Sequence, residues 1–135
     1  MQHSIHIKIK GNPPTRTVQQ KGIKVVNGHP MFFEKKAVRD AKTELMWKLK
    51  PFVPAKPMTG PLSVEITWMF ELKSCKAPHY KTTRPDLDNL EKGLLDVLGT
   101  MGFFHDDAQV VDKRTDKWAV PVGNGGLEIV IREVE

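Results

Sequence analysis

The chain has 135 residues, enough for one domain with its own core, and 21 Lys+Arg against 16 Asp+Glu give it a net charge of +5. No apolar run approaches the length of a membrane span, and the first six residues lack a signal-peptide core. A single cysteine, Cys75, excludes an intrachain disulfide and a multi-thiolate zinc site. The expectation is a soluble, cytoplasmic protein of one domain over residues 1–135, with no membrane association.

The charge is unevenly spread. Residues 1–85 hold 16 Lys+Arg against 5 Asp+Glu, or +11, whereas residues 86–135 hold 5 against 11, or −6. A basic half attracts a polyanion, and clustered carboxylates hold metal ions. A phosphodiester substrate accounts for both halves, although a solvated charged surface is the plainer account of charge alone.

In chain order, Ser4–Ile9 alternates loosely as a strand, and Pro13-Pro14 ends it. Residues 14–22 are polar and basic and read as a mobile loop. Residues 24–29 form a hairpin about Asn27-Gly28. Residues 34–49 read as a helix with Ala37, Val38, Ala41, Leu45 and Leu49 inward, and with Lys35, Lys36, Arg39 and Lys42 on its other face. A connector with four prolines, residues 51–61, leads to the clearest strand. There Leu62, Val64, Ile66, Trp68, Phe70 and Leu72 alternate with polar or less apolar neighbours. Residues 73–85 read as a basic loop carrying Lys73, Lys76, Lys81 and Arg84. Residues 88–98 follow as a helix with Leu90, Leu94, Val97 and Leu98 on one side, and Gly99 and Gly102 bracket its end. Val110–Val120 reads as a strand, Asn124-Gly125-Gly126 as a turn, and Leu127, Ile129 and Ile131 alternate in a final strand. The last two strands read as an antiparallel hairpin. The expected class is α+β, a mixed or mostly antiparallel sheet with two main helices.

The chemistry concentrates in two acidic motifs. Asp86 and Asp88 stand in Arg84-Pro85-Asp86-Leu87-Asp88-Asn89-Leu90, at the start of the second helix. An isolated Asp-x-Asp at such a place commonly caps the helix or complements its dipole. Here the motif emerges from a basic loop, and Asp106-Asp107 returns after the helix. Asp88, Lys92 and Asp96 fall on one helix face at intervals of four. Lys92 is either half of a surface ion pair with Asp88 or a cation beside a metal site, where it would stabilise transition-state charge. Of the later acids Asp107 is the favoured ligand, with Asp106 as a second. His105 reads as a surface residue, and Asp112 and Asp116 as part of a solvated strand face. Carboxylates without a His/Cys cluster suit Mg²⁺, with Mn²⁺ as substitute, rather than Zn²⁺. An EF-hand fails because its sixth position, counted from Asp86, is Glu91. A phosphatase with an aspartyl nucleophile fails because no hydrophobic strand leads into the motif.

The run Arg84-Pro85-Asp86-Leu87-Asp88-Asn89-Leu90-Glu91-Lys92 with Gly102-Phe103-Phe104-His105-Asp106-Asp107-Ala108-Gln109-Val110-Val111 resembles the RusA family of Holliday junction resolvases. The close match spans residues 84–114; the N-terminal half fits more loosely. The resemblance implies a homodimeric α+β endonuclease that uses Mg²⁺ to cut symmetrically related strands at a four-way DNA junction. It places the catalytic acids on Asp86, Asp88 and Asp107, which are also the metal ligands, and the essential lysine on Lys92. The expected phosphate contacts are Lys35, Lys36, Arg39, Lys73, Lys76, Lys81 and Arg84. Two rival readings are a nuclease acting on flaps or other branched DNA, and a DNA-binding accessory protein whose acids are structural.

Overall fold

Strict alternation over residues 62–71 makes one central strand, and the rest of the sheet is assembled on its two edges. The computed structural model describes residues 3–14, 21–34 and 36–135, with backbone alone at 21–24 and 31–34. The elements are β1 (Ser4–Lys10), β2 (Lys21–Val26), β3 (His29–Glu34), α1 (Lys36–Leu49), β4 (Leu62–Glu71), β5 (His79–Tyr80), α2 (Leu87–Met101), β6 (Val110–Val120) and β7 (Gly126–Glu133). Five strands form a sheet in the order β1-β7-β4-β6-β5, and β2 and β3 form a separate hairpin. Only β4 and β6 are parallel, and α2 lies in the connection between them. This is an α+β fold with a mixed sheet and two main helices, as expected.

The core lies on one face of the sheet. Val64, Ile66 and Trp68 of β4 stand opposite Ile131, Ile129 and Leu127 of β7. Ile131, Ile129 and Leu127 in turn face Ile5, Ile7 and Ile9 of β1. Leu90, Leu94, Val97 and Leu98 of α2 close over this layer, together with Val38 and Leu49 of α1. Burial of such apolar area is the main favourable term in folding. Phe103 and Phe104 are almost wholly buried just after α2. There the Met58 N–H donates to the Phe103 carbonyl at 2.9 Å and ties the proline-rich connector to the helix end.

The expected hairpin of the last two strands does not form. β6 and β7 run in opposite directions, but β4 lies between them. The reason is the burial of β4: its inward side chains are apolar throughout, and such a strand needs a neighbour on each edge. Residues 121–125 carry the chain over the end of β4 instead. At that crossing, the Leu72 N–H donates to Val120 O at 2.9 Å and the Gly11 N–H to Gly125 O at 3.1 Å.

Smaller differences have local causes. The basic loop over residues 73–85 contains the short edge strand β5, two residues that pair with Ala119 and Trp118. Leu72 falls beyond β4 and is exposed, and Ala37 faces solvent rather than the core. The α2 helix continues through Gly99, against which the Phe104 ring packs. It ends at Gly102, where φ is +90°, a conformation glycine adopts without strain. Asn27 and Gly28 both have positive φ, as a two-residue hairpin turn of this hand requires. The mobile loop expected at residues 14–22 and the side chain of Lys35 fall largely or wholly outside the described residues. No helix among the described residues is long and apolar enough to cross a membrane.

Candidate active site

The chain enters α2 through Asp86, whose backbone is extended (φ −70°, ψ 139°). The Asp86 carbonyl accepts the Leu90 N–H at 3.1 Å and so opens the helix. Its carboxylate makes no capping bond. Asp86 therefore occupies the cap position while its side chain is exposed and does not cap the helix, which removes the simplest structural account of the residue. Asp88 is exposed in the first turn and accepts only the adjacent Asn89 N–H, at 3.0 Å. Both carboxylates sit where the helix dipole favours negative charge. The ion pair between Asp88 and Lys92 does not form. Lys92 is exposed and has no ion pair among the described residues.

Asp106 and Asp107 have separate tasks. Asp106 caps the short 3-10 turn Asp107–Gln109, its Oδ1 accepting the Ala108 N–H at 2.8 Å. Gln109 completes a capping box: its Oε1 accepts the N–H groups of His105 and Asp106, at 2.8 and 3.0 Å. Its Nε2 donates to the carbonyls of Met58 and Gly60, at 3.1 and 3.0 Å. One side chain thus ties the turn to the connector before β4. Asp107, the first residue of the turn, is exposed and lines a shallow depression with Leu95, Val110 and Lys113. His105 is exposed, and only its backbone takes part in this clasp.

β6 carries an unexpected feature. Its register sets Lys113, Thr115 and Lys117 opposite Val64, Ile66 and Trp68, so these polar residues share the core face of the sheet beneath α2. Lys113 reaches Glu91 of α2 at 2.9 Å. Glu91 is buried, and its other oxygen, Oε1, has no hydrogen-bond partner among the described residues; nor have the buried Trp68 Nε1 and Thr115 Oγ1. Lys117 Nζ donates to the carbonyls of Thr83 and Pro85, both at 2.7 Å. Burial lowers the Lys117 pKa, nearby Lys81 lowers it further, and the Asp86 carboxylate opposes both. Sequence reading missed Lys117, because a lysine in an alternating charged strand looks solvated. The signal for it was the shared periodicity: Lys113, Thr115 and Lys117 are in phase with buried Ala119. On the outer face, Asp112 is exposed, while Asp116 contacts Arg114 at 3.8 Å and accepts the Trp118 Nε1–H at 3.2 Å.

The basic residues fall in two groups. Lys36 and Arg39 are exposed on the first turns of α1; Lys73, Lys76 and Arg84 are exposed on the loop leading to α2. Lys81 is half-buried. Its ammonium donates to Thr83 Oγ1 at 2.6 Å and sits 5.7 Å from the centre of the Phe70 ring. It is therefore part of the loop's own scaffold as well as its charge.

Among the described residues no three His, Cys, Asp or Glu side chains gather as a ready-made metal cage. Asp86 and Asp88 stand together at the head of α2, and Asp107 lies on the turn before β6. The donors nevertheless suit Mg²⁺. They are exposed hard oxygens without ion pairs, and this cation characteristically keeps several waters and takes only one or two carboxylates along with substrate phosphates.

Comparison with known proteins identifies a family. The family model described as Endodeoxyribonuclease RusA matches residues 11–132. A crossover junction endodeoxyribonuclease RusA of Lactococcus phage r1t is 36% identical over 121 residues, covering 87% of this chain and 89% of that protein. Proteins of the same name from Escherichia coli and Enterobacteria phage 82 are each 54% identical over 52 residues, 38% of this chain and 42% of theirs. With nearly its whole length matched, the chain belongs to the RusA family of endodeoxyribonucleases.

Proposed function

We propose that this protein is a homodimeric, Mg²⁺-dependent endonuclease that resolves four-way DNA junctions by paired, symmetrical phosphodiester hydrolysis, acting in the cytoplasm in DNA recombination and repair. The observation that carries the reading is the head of α2. Two carboxylates there, Asp86 and Asp88, have no ion pair among the described residues and emerge directly from a basic loop. The names of the family and of its relatives support the substrate.

Asp86, Asp88 and Asp107 would hold the cation. Mg²⁺, when bound, activates water and offsets charge on the phosphate and on the departing oxygen. The chain's own residues do the rest. Lys92, one turn beyond Asp88 and without an ion pair among the described residues, presents its ammonium to the negative charge that grows on the phosphate. Lys35, Lys36, Arg39, Lys73, Lys76, Lys81 and Arg84 hold flanking phosphates. These contacts position the strand without reading its sequence. Asp106 and Gln109 keep Asp107 in place. Two cuts are needed to resolve a junction, and a dimer supplies one site for each.

The test is incubation with a mobile four-way junction and Mg²⁺, mapping cuts on every strand, with Asp88→Asn and EDTA as controls. Paired symmetrical nicks lost in both controls support the proposal. Equal cutting of flaps and junctions would replace it with a broader branched-DNA nuclease. Binding without cuts in Mg²⁺ or Mn²⁺ would leave a DNA-binding protein. Asp88→Asn should fold normally, because among the described residues its carboxylate accepts a hydrogen bond only from the next residue.

A further inference from the structure

We propose that Lys117 is a positioning residue for this reaction, one that fixes the Thr83–Pro85 turn and thereby the direction in which Asp86 is presented. The inference rests on the proposed function, and its geometry is independent of it. Lys117 lies on the core face of β6, opposite Trp68 of β4. From there its ammonium reaches up to two carbonyls of the loop that ends at Asp86, Thr83 O and Pro85 O, each at 2.7 Å. The same loop is tied to the same residue a second time, since the Lys81 N–H donates to Lys117 O at 3.0 Å. Lys81 Nζ then donates to Thr83 Oγ1 at 2.6 Å and stiffens the turn from within. The residue immediately after Pro85 is thus held through its own backbone, while its carboxylate makes no capping bond.

A lysine is an expensive choice for tying down a loop. Its ammonium is partly removed from water and lies within ion-pair distance of no carboxylate among the described residues. Two carbonyl oxygens compensate it only in part, for they carry no net charge. A neutral donor would satisfy both carbonyls without that cost. The Asp86 carboxylate is near enough to be felt at Lys117. The cation therefore holds the turn from which Asp86 is presented. A carboxylate meant to bind a cation with few protein ligands needs its direction fixed from outside the coordination shell. Groups that orient ligands in this way typically change metal affinity or activity by about 10–100-fold when removed.

The experiment compares the native chain with Lys117→Met, Lys117→Arg and Asp86→Asn. Mn²⁺ binding to the free protein is followed by electron paramagnetic resonance, beside junction binding in EDTA, thermal melting and single-turnover junction cleavage in Mg²⁺. The Mn²⁺ arm separates the alternatives by sign. If Lys117 is only a nearby positive charge, removing it makes Mn²⁺ bind more tightly. If it positions Asp86, Lys117→Met weakens Mn²⁺ about tenfold or more, toward the level of Asp86→Asn, and slows cleavage by a similar factor. Junction binding in EDTA should fall less than Mn²⁺ binding, because Lys117 makes none of the expected phosphate contacts and only Arg84 of that set lies within the turn it holds. Lys117→Arg, which keeps the charge and the donors, should recover most of the Mn²⁺ affinity. Unchanged or tighter Mn²⁺ binding in Lys117→Met would overturn the proposal. If that variant does not fold, Lys117→Gln is read by the same criterion. A native chain that cuts no junction would refute the proposed function, and the Mn²⁺ measurements would still decide the role of Lys117.

Discussion

Replacing Gln109 by Leu should destabilise the protein by about 2–4 kcal/mol and cost it cleavage even under conditions where it stays folded. Gln109 makes four hydrogen bonds: it accepts from His105 and Asp106 and donates to Met58 and Gly60. A hydrogen bond contributes about 0.5–1.5 kcal/mol net. Three of these four lie at the surface, where water can re-satisfy the freed groups, so the lower half of that range applies. Urea denaturation followed by circular dichroism measures the loss. With a slope of about 1–3 kcal/mol/M, the midpoint should fall by roughly 1 M or more while the slope is unchanged. Gln109→Glu makes a useful control. It keeps the two accepted bonds, loses the two donated ones, and sets a carboxylate against two carbonyls. A loss below about 0.5 kcal/mol for Gln109→Leu, with native cleavage, would refute the clasp as the device that holds Asp107.

The other expectations follow from neighbouring features. Asp106→Ala should cost about 1 kcal/mol as a lost cap, whereas Asp107→Asn should leave stability near native and remove cleavage; melting curves beside junction assays separate the two. Gly126→Ala should destabilise by about 1–3 kcal/mol, because the added Cβ would stand 2.8 Å from the Ile9 carbonyl oxygen across the β1–β7 pair. Urea midpoints provide the check, and a neutral result would mean the strands separate without cost. Junction affinity should fall steeply with salt. Each Ala substitution at Lys36, Lys73, Lys76 or Arg84 should flatten the log–log slope by about one, measured by fluorescence anisotropy. An unchanged slope would remove that residue from the DNA surface.

The elements most legible from sequence were those whose residues obey one period. β4 announces itself by alternation, and α2 by the apolar spacing of Leu90, Leu94, Val97 and Leu98. Strand partners were not legible. Alternation in β6 and β7 shows that both are strands but not that β4 separates them, since the separation depends on which buried strand needs two neighbours. The acids of the site could be found because they cluster in short motifs. The difference between Asp106 and Asp107 could not, since it depends on which carboxylate turns back to its own backbone. Lys117 was hidden for a similar reason. Its chain position says "charged strand", and only the register opposite Trp68 brings it beneath the loop.

The sheet order also governs how this chain can come to be folded. Among the described strands, β1, the first in chain order, pairs only with β7, the last in chain order. The Glu133 N–H even closes onto the His3 carbonyl, at 2.9 Å. Until residue 133 is available, β1 has no edge to join, and β4 has only β6 beside it. Contacts so distant in sequence close slowly. Between the synthesis of residue 71 and that of residue 133 the chain would therefore carry an unpaired, apolar β4 edge, a hazard for aggregation. Joining the two ends and opening the chain elsewhere would make the β1–β7 pair local, and the prediction for such a permuted protein is faster refolding into the same sheet.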